Sequence, residues 1–171
     1  MPATIPELTT RWKSLFEAAT LEEVNGRMAL LRPDSERLWG KMSAAQMLAH
    51  NAAAMEMAVG ITFPPRRFVG RLFGPLAKSA ILTKGKPFRR NSPSDKSLII
   101  KEDRDFEVER QRLRGLLERF AAGGPEGCTR HPHSFFGLLT PTEWASSRIL
   151  FFGPSRAPST NRTTGALFTG N

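Results

Sequence analysis

The sequence predicts an all-α protein built like a four-helix bundle, with a shortened last helix and a disordered C-terminal tail. Three observations support this fold class. Apolar residues recur at helical spacing, capping signals separate the apolar segments, and no segment alternates with the period of two that a sheet needs. The chain has 171 residues, 40% hydrophobic and 24% charged, which is typical of one globular domain. We therefore predict a helical domain at residues 1–152 and a disordered polar tail at 153–171.

The first two predicted helices precede Pro33. A short first helix is predicted from apolar residues at helical spacing, namely Leu8, Trp12, Leu15 and Phe16. Thr20 and Glu23 have the spacing of a capping box, so we expect the second helix to open there. Its apolar face comprises Val24, Met28 and Leu31. Pro33 ends it, because proline cannot continue a helix.

The middle of the chain predicts one regular helix and one bent helix. Ser43 and Gln46 predict a capping box at the start of a helix over residues 44–59. A second amphipathic segment follows, and its two glycines and one proline predict a bend. The apolar residues of that segment are Phe68, Leu72, Phe73, Leu76 and Ile81. The Lys-, Pro- and Ser-rich stretch 84–101 is predicted to be a surface loop.

The C-terminal half predicts two more helices. Residues 103–122 carry apolar residues along one side, and a Gly-Gly-Pro sequence ends that helix. Thr140, Pro141 and Glu143 are typical of a helix start, but a Gly-Pro pair stops this last helix after about three turns. The residues predicted to contribute to the core are Trp12, Met47, Met55, Phe73, Leu113, Leu117 and Phe120.

The net charge of +9 is concentrated in one segment, residues 61–101. That segment holds one acidic residue, Asp95, and ten basic ones: Arg66, Arg67, Arg71, Lys78, Lys84, Lys86, Arg89, Arg90, Lys96 and Lys101. Such a concentration attracts anions, phosphates or acidic surfaces without specifying which. The alternative is a solvated face followed by a basic loop.

Composition also excludes several classes of function. The chain has a single cysteine, Cys128, so it has no internal disulfide, and a reducing cytoplasm is the expected compartment. It has no tyrosine, which excludes any mechanism that needs a phenol. No secretory signal and no apolar run of spanning length is present, so we expect no membrane partner.

The sequence holds three histidines, His50, His131 and His133. His50 lies on an apolar helical face, where it is either a hydrogen-bonded core residue or a ligand. His131 and His133 flank a proline, which favours an extended chain with both rings on the same side. Two imidazoles so placed can chelate one metal ion, and the alternative is a plain loop before a helix. Cys128 is a reactive thiol if basic neighbours lower its pKa, and otherwise inert.

Three segments resemble the DinB-like (YfiT-like) superfamily, in particular a branch of unknown function. The first is WGKMSAAQMLAH at 39–50, which resembles the first metal-ligand helix of that superfamily. The resemblance continues through DFEVER at 105–110 and HPHSFFGLLTPTEW at 131–144, and covers about residues 8–144. The superfamily is mostly bacterial, and its members are four-helix bundles regarded as metalloenzymes.

This resemblance implies a metal site in which His50 is one of three histidine ligands. The other two come from the last helix of the family, in a His-x-x-x-His arrangement. Three imidazoles suit Zn²⁺ or Ni²⁺, and a metal-bound water can become a nucleophile. Because no histidine follows His133 in this sequence, only His50 is carried over. We therefore expect an incomplete metal site, and we expect the segment from Ala145 onward to be translated in an altered frame or replaced.

Two hypotheses for function follow. The first is a DinB-like hydrolase or thiol transferase that depends on a divalent metal and acts on a small-molecule or thiol substrate. The alternative is a non-catalytic bundle that binds an anionic partner through the basic 61–101 segment. Whether the chain is an enzyme stays open, and a homodimer is a further expectation.

Overall fold

A computed structural model of the chain describes residues 13–39, 41–66, 68–80, 99–149 and 168–169. The elements in chain order are α1 (Ala18–Ala29), β1 (Arg37–Trp39), α2 (Ala44–Ala58), α3 (Phe68–Lys78), α4 (Phe106–Gly123), α5 (Pro141–Ile149) and β2 (Phe168–Thr169). Helices dominate the described part of the chain, so the predicted all-α bundle is confirmed. None of the described helices is both long and apolar enough to cross a membrane.

The core lies between α2 and α4, which pack along each other, with α1 against α4 and α5 against α2. α2 is rich in Ala and Met, which are strong helix formers, and its small side chains permit close packing. Five of the predicted core residues are at most 2% exposed, namely Met47, Met55, Leu113, Leu117 and Phe120. Trp12 lies outside the described residues.

Two helix starts follow the predicted capping boxes. At the start of α2, the Ser43 hydroxyl accepts from the Gln46 backbone N–H at 3.2 Å, and the Gln46 side chain accepts from the Ser43 N–H at 2.9 Å. At the start of α5, the Thr140 hydroxyl accepts from the Glu143 N–H at 3.2 Å, and the Glu143 carboxylate accepts from the Thr140 N–H at 2.8 Å. Each box satisfies two backbone N–H groups that the helix leaves unbonded.

The N-terminal predictions are partly wrong. α1 begins at Ala18, so Thr20 lies inside the helix and is buried instead of capping it. Leu8 and Trp12 of the predicted first helix lie outside the described residues, and residues 13–17 form a turn. Leu15 is fully buried there, and the Phe16 ring stacks on Phe120 at 5.0 Å. Apolar spacing therefore found the buried side chains, although a turn supplies them in place of a helix.

α3 is the helix that departs most from the predicted packing. Phe73, predicted to be a core residue, is 53% exposed. The reason is that α3 packs against the rest of the protein through Gly70 and Gly74, which turns the side chain of Phe73 outward. Residues 81–98, which include most of the predicted surface loop, lie outside the described residues.

The C-terminal tail contributes one described contact to the fold. Phe168–Thr169 pairs in parallel with Arg37–Trp39, so that Arg37 lies opposite Phe168 and Trp39 opposite Thr169. This pairing is too short to change the fold class. The rest of the predicted tail, residues 153–167 and 170–171, lies outside the described residues.

Candidate functional site

A tight turn at residues 133–137 connects the histidine segment to α5. The backbones of His133 and Gly137 exchange two hydrogen bonds, of 2.8 and 3.0 Å. Gly137 has a φ of 81°, a conformation that favours glycine because it has no side chain. We call residues 133–137 the histidine turn.

His133 serves the structure of this turn. Its ring is buried between Phe136, with ring centres 5.0 Å apart, and Trp144, at 5.4 Å. Its Nδ1 accepts from the backbone N–H of Phe135 at 3.0 Å and of Phe136 at 3.3 Å. Nδ1 is therefore an acceptor, which leaves the proton of the neutral ring on Nε2.

The other two histidines lie in different surroundings. The ring of His131 is exposed, contacts Phe63 at 5.0 Å between ring centres, and has Nδ1 3.1 Å from the Pro132 carbonyl oxygen. His131 and His133 thus have an exposed ring and a buried ring, and both Nδ1 atoms contact local backbone. His50 lies on α2 and is 2% exposed.

The histidines do not converge on one point. Within the described ranges, which include every histidine of the chain, no group of three His, Cys, Asp or Glu side chains has the geometry to hold a metal ion. The three histidines therefore do not form a three-imidazole site within the described ranges.

Cys128 does not have the surroundings of a reactive thiol. Its side chain is half-buried, and Sγ lies 3.9 Å from the carbonyl oxygen of Gly124. Burial raises the pKa of the Cys128 thiol, so less of it is thiolate at neutral pH. This favours the inert alternative.

An ion-pair network joins α2 and α4, and its contact between the two helices has no signal in the sequence spacing. Arg112 donates to Glu56 at 2.6 Å and to Glu109 at 2.8 Å, and Arg104 adds a contact to Glu109 at 3.8 Å. Burial alone lowers the pKa of Arg112, but its hydrogen bonds and charge interactions with both carboxylates outweigh burial and raise it. The network joins two core helices, so its role is structural.

α3 rests on the backbone of the histidine turn. A Cβ atom on Gly74 would overlap the carbonyl oxygen of Phe135, and one on Gly70 would lie 2.8 Å from that of Ser134. Neither position has room for a side chain. The glycines therefore allow a helix to approach another segment of backbone directly.

Lys78 fixes the far end of α3. Its ammonium donates to the Leu138 carbonyl oxygen at 2.7 Å and lies 3.0 Å from Oε2 of Glu143, the residue that also caps α5. Burial alone raises the pKa of the Glu143 carboxyl, but the hydrogen bonds from Thr140 and Lys78 outweigh burial and lower it. α3, the histidine turn and the start of α5 are thus tied together.

Two arginines at the start of α3 carry charge without an acidic partner. The Arg66 guanidinium lies against Gly137, with Nη2 3.0 Å from the place where a Cβ would be. Arg66 is half-buried, and its Nε is buried without a hydrogen-bond partner among the described residues. Arg71 is exposed on α3. In the described part of the chain neither guanidinium has an ion-pair partner.

The structure describes part of the predicted basic segment. Lys78 and Lys101 lie within the described residues, as do Arg66 and Arg71. Lys78 is paired with Glu143, so it contributes less free charge than the sequence count predicts. The residues outside the described ranges are Arg67, Lys84, Lys86, Arg89, Arg90 and Lys96.

A family model described as "Protein of unknown function (DUF1569)" matches residues 10–153 of the chain. The match begins near the start of the predicted resemblance and extends past Trp144, so residues 145–153 fall inside it. No curated protein and no solved structure matches the chain.

Proposed function

The chain belongs to the family of proteins of unknown function (DUF1569), and we propose that it binds an anionic partner through its basic 61–101 segment. The observation that carries this proposal is the guanidinium of Arg66. It is half-buried against Gly137 without an acidic partner among the described residues. A guanidinium partly removed from water is stabilised by an anion that accepts its hydrogen bonds.

The charges near Arg66 support the same function. Arg71 lies on the first turns of α3 and is exposed to solvent. The segment 61–101 holds ten basic residues and one acidic residue, so its charge favours anions. The anionic groups that fit are phosphate, sulfate and carboxylate, because a planar guanidinium can bind two of their oxygens at once.

Retention of the full chain on heparin over a range of salt concentrations tests the proposal. Removing one arginine that contacts the anion lowers the slope of log affinity against log salt by about 1. We expect this decrease for Arg71→Gln and for Arg66→Gln. Arg119→Gln is the matched control, since Arg119 is exposed on α4 and its loss changes the net charge equally. No retention at low salt, or equal slopes for Arg71→Gln and Arg119→Gln, would contradict the proposal.

A second candidate function is the divalent-metal-dependent hydrolase or thiol transferase that the DinB-like resemblance implies. The observation in its favour is the burial of His50 on α2, because a buried imidazole is a common ligand of Zn²⁺ and Ni²⁺. The test is the metal content of the purified protein. One equivalent of metal that is lost in His50→Ala and kept in His131→Ala supports this function. Metal-free protein contradicts it.

The altered-frame hypothesis for the segment from Ala145 onward has a separate test. The coding DNA after codon 144 is read in its other two frames. An amphipathic helix with histidines at His-x-x-x-His spacing in either frame supports the hypothesis. If neither frame encodes such a helix, the segment is a genuine divergence of this chain.

A further inference from the structure

One face of α3 is apolar and open to solvent. It consists of Phe68, Leu72, Phe73 and Leu76, which are between 53% and 77% exposed. Phe68, Leu72 and Leu76 are one helical turn apart, and Phe73 precedes Leu76 by about one turn, so the four lie together on one side of the helix. We call them the apolar face of α3.

The apolar face points outward because the opposite side of α3 is the attached side. Gly70 and Gly74 lie against the backbone of the histidine turn, and Lys78 is bonded to Leu138 and Glu143. At 100° per residue, the two glycines lie on the far side of the helix from Leu72 and Leu76. If α3 rotated to bury its apolar face, both glycines would lose their contact with the backbone of the histidine turn. A residue with a side chain could not make that contact.

Two further exposed apolar residues, Leu138 and Phe63, lie near the ends of α3. Leu138 is exposed, and its carbonyl oxygen accepts from Lys78, which brings it next to α3. Phe63, in the segment that leads into α3, is also exposed. Single exposed apolar residues are normal on protein surfaces, whereas a contiguous group marks a binding surface.

The charge of the sequence segment that contains α3 selects the kind of partner. A second copy of the chain would bring two segments of net charge +9 together, which like-charge repulsion opposes. A nucleic acid would use the arginines and stack bases on the phenylalanines, but it has no use for Leu72 and Leu76. An anionic lipid surface uses both parts, since its headgroups attract Lys and Arg and its acyl boundary takes Phe and Leu.

We propose that α3 docks the protein onto an anionic lipid surface, with the apolar face of α3 inserted at the headgroup boundary and the exposed Arg71 on the lipid phosphates. This inference rests on the proposed anion binding and names the partner. It differs from the sequence-based expectation of no membrane partner, which considered segments that span a bilayer. Docking in the plane of the interface needs no spanning helix.

Flotation of the full chain with vesicles tests the inference. The vesicles contain either phosphatidylcholine alone or phosphatidylcholine mixed with phosphatidylserine. We expect binding to the mixed vesicles only. In the variant Leu72→Ser/Leu76→Ser, vesicle binding should fall by about tenfold or more, because two apolar side chains no longer enter the lipid. Its retention on heparin should not change, because its charges are intact.

The matched control is Val108→Ser, which changes an equally exposed apolar residue on α4. It should bind vesicles and heparin as the unmodified chain does. Circular dichroism of each variant establishes that the helices are retained, which separates a loss of docking from a loss of fold.

The other outcomes each overturn a stated claim. If the chain binds neither heparin nor mixed vesicles, both the anion binding and the lipid docking are wrong. If heparin retention is normal and vesicle binding is absent, or is unaffected by Leu72→Ser/Leu76→Ser, only the lipid docking is wrong. A dimer that dissociates in the leucine variant identifies a second copy as the occupant. Single-stranded DNA that binds through the same leucines identifies a nucleic acid.

Discussion

α4 and α3 are both amphipathic, yet they use their apolar residues in opposite ways. The apolar side of α4 is buried, with Leu113 and Leu117 fully enclosed against the rest of the core. The apolar face of α3 is exposed, and glycines make the contact with the protein. The same periodicity thus produces a core helix in one case and a presented surface in the other. The difference is that α3 has glycines on the side opposite its apolar face, and they let its backbone contact the backbone of the histidine turn.

The largest effect is expected for a substitution in the core helix α4. Leu117→Ala should lower the free energy of unfolding by about 2–5 kcal/mol, because it leaves a cavity in a packed core. Leu72→Ala on the apolar face of α3 makes the same chemical change and should stay within about 0.5 kcal/mol. Urea unfolding of both variants measures the difference. Similar losses would mean that α3 is packed as a core helix.

A smaller effect is expected at the glycines of α3. Gly74→Ala places a Cβ against the carbonyl oxygen of Phe135, and we expect it to cost about 1–3 kcal/mol as overpacking does. Gly115→Ala on α4 meets nothing within 4 Å and should stabilise the protein by about 0.5–1 kcal/mol, as alanine does in a helix interior. If Gly74→Ala unfolds at the same urea concentration as Gly115→Ala, α3 does not rest on the histidine turn.

A substitution in the capping box of α2 tests how a core helix is stabilised at its start. Ser43→Ala removes the acceptor for the Gln46 N–H and should cost about 1 kcal/mol, a typical value for an N-cap. Ser43→Thr keeps the hydroxyl and should recover most of that loss. The thermal unfolding midpoints of Ser43→Ala and Ser43→Thr measure the loss of stability and its recovery. An unchanged midpoint in Ser43→Ala would show that water replaces the cap without cost.

The smallest effect concerns pH and the end of α3. The pKa of Glu143 is lowered in the folded chain, so its contribution to stability is present above the unfolded pKa of about 4.3. That contribution is lost as the pH falls through the lower, folded pKa. We expect Glu143→Gln to unfold at a lower temperature than the unmodified chain at pH 7, and the difference should disappear in acid. A difference that persists at low pH would mean that the charge of Glu143 is not its source.

Local signals predicted much of the fold. The boxes at Ser43 and Thr140 were found because both partners of a capping box lie three residues apart in the sequence. The same pattern was wrong at Thr20, since α1 begins earlier and buries Thr20 against the core. A capping pattern identifies a candidate start, but packing decides whether the helix begins there.

Contacts between residues far apart in the sequence were harder to predict. Arg112 joins Glu56 on a different helix, and no spacing along the chain connects those residues. Phe73 was wrongly placed in the core because periodicity defines an apolar side without saying what that side faces. The sequence identified the histidines as candidates but not their surroundings. His133 is buried and His131 is exposed because of the geometry of the turn, which the spacing of the two residues does not reveal.

Glu143 accepts hydrogen bonds from two elements through the same oxygen: Oε2 binds the Thr140 N–H that opens α5 and the ammonium of Lys78 that ends α3. These elements therefore share one attachment, and they should open together as a single cooperative unit. In native-state hydrogen exchange, the amide protons of α3 should follow those at the start of α5, while the amides of α2 and α4 exchange more slowly. The rate at which a protease cleaves α3 would then measure how often α5 opens.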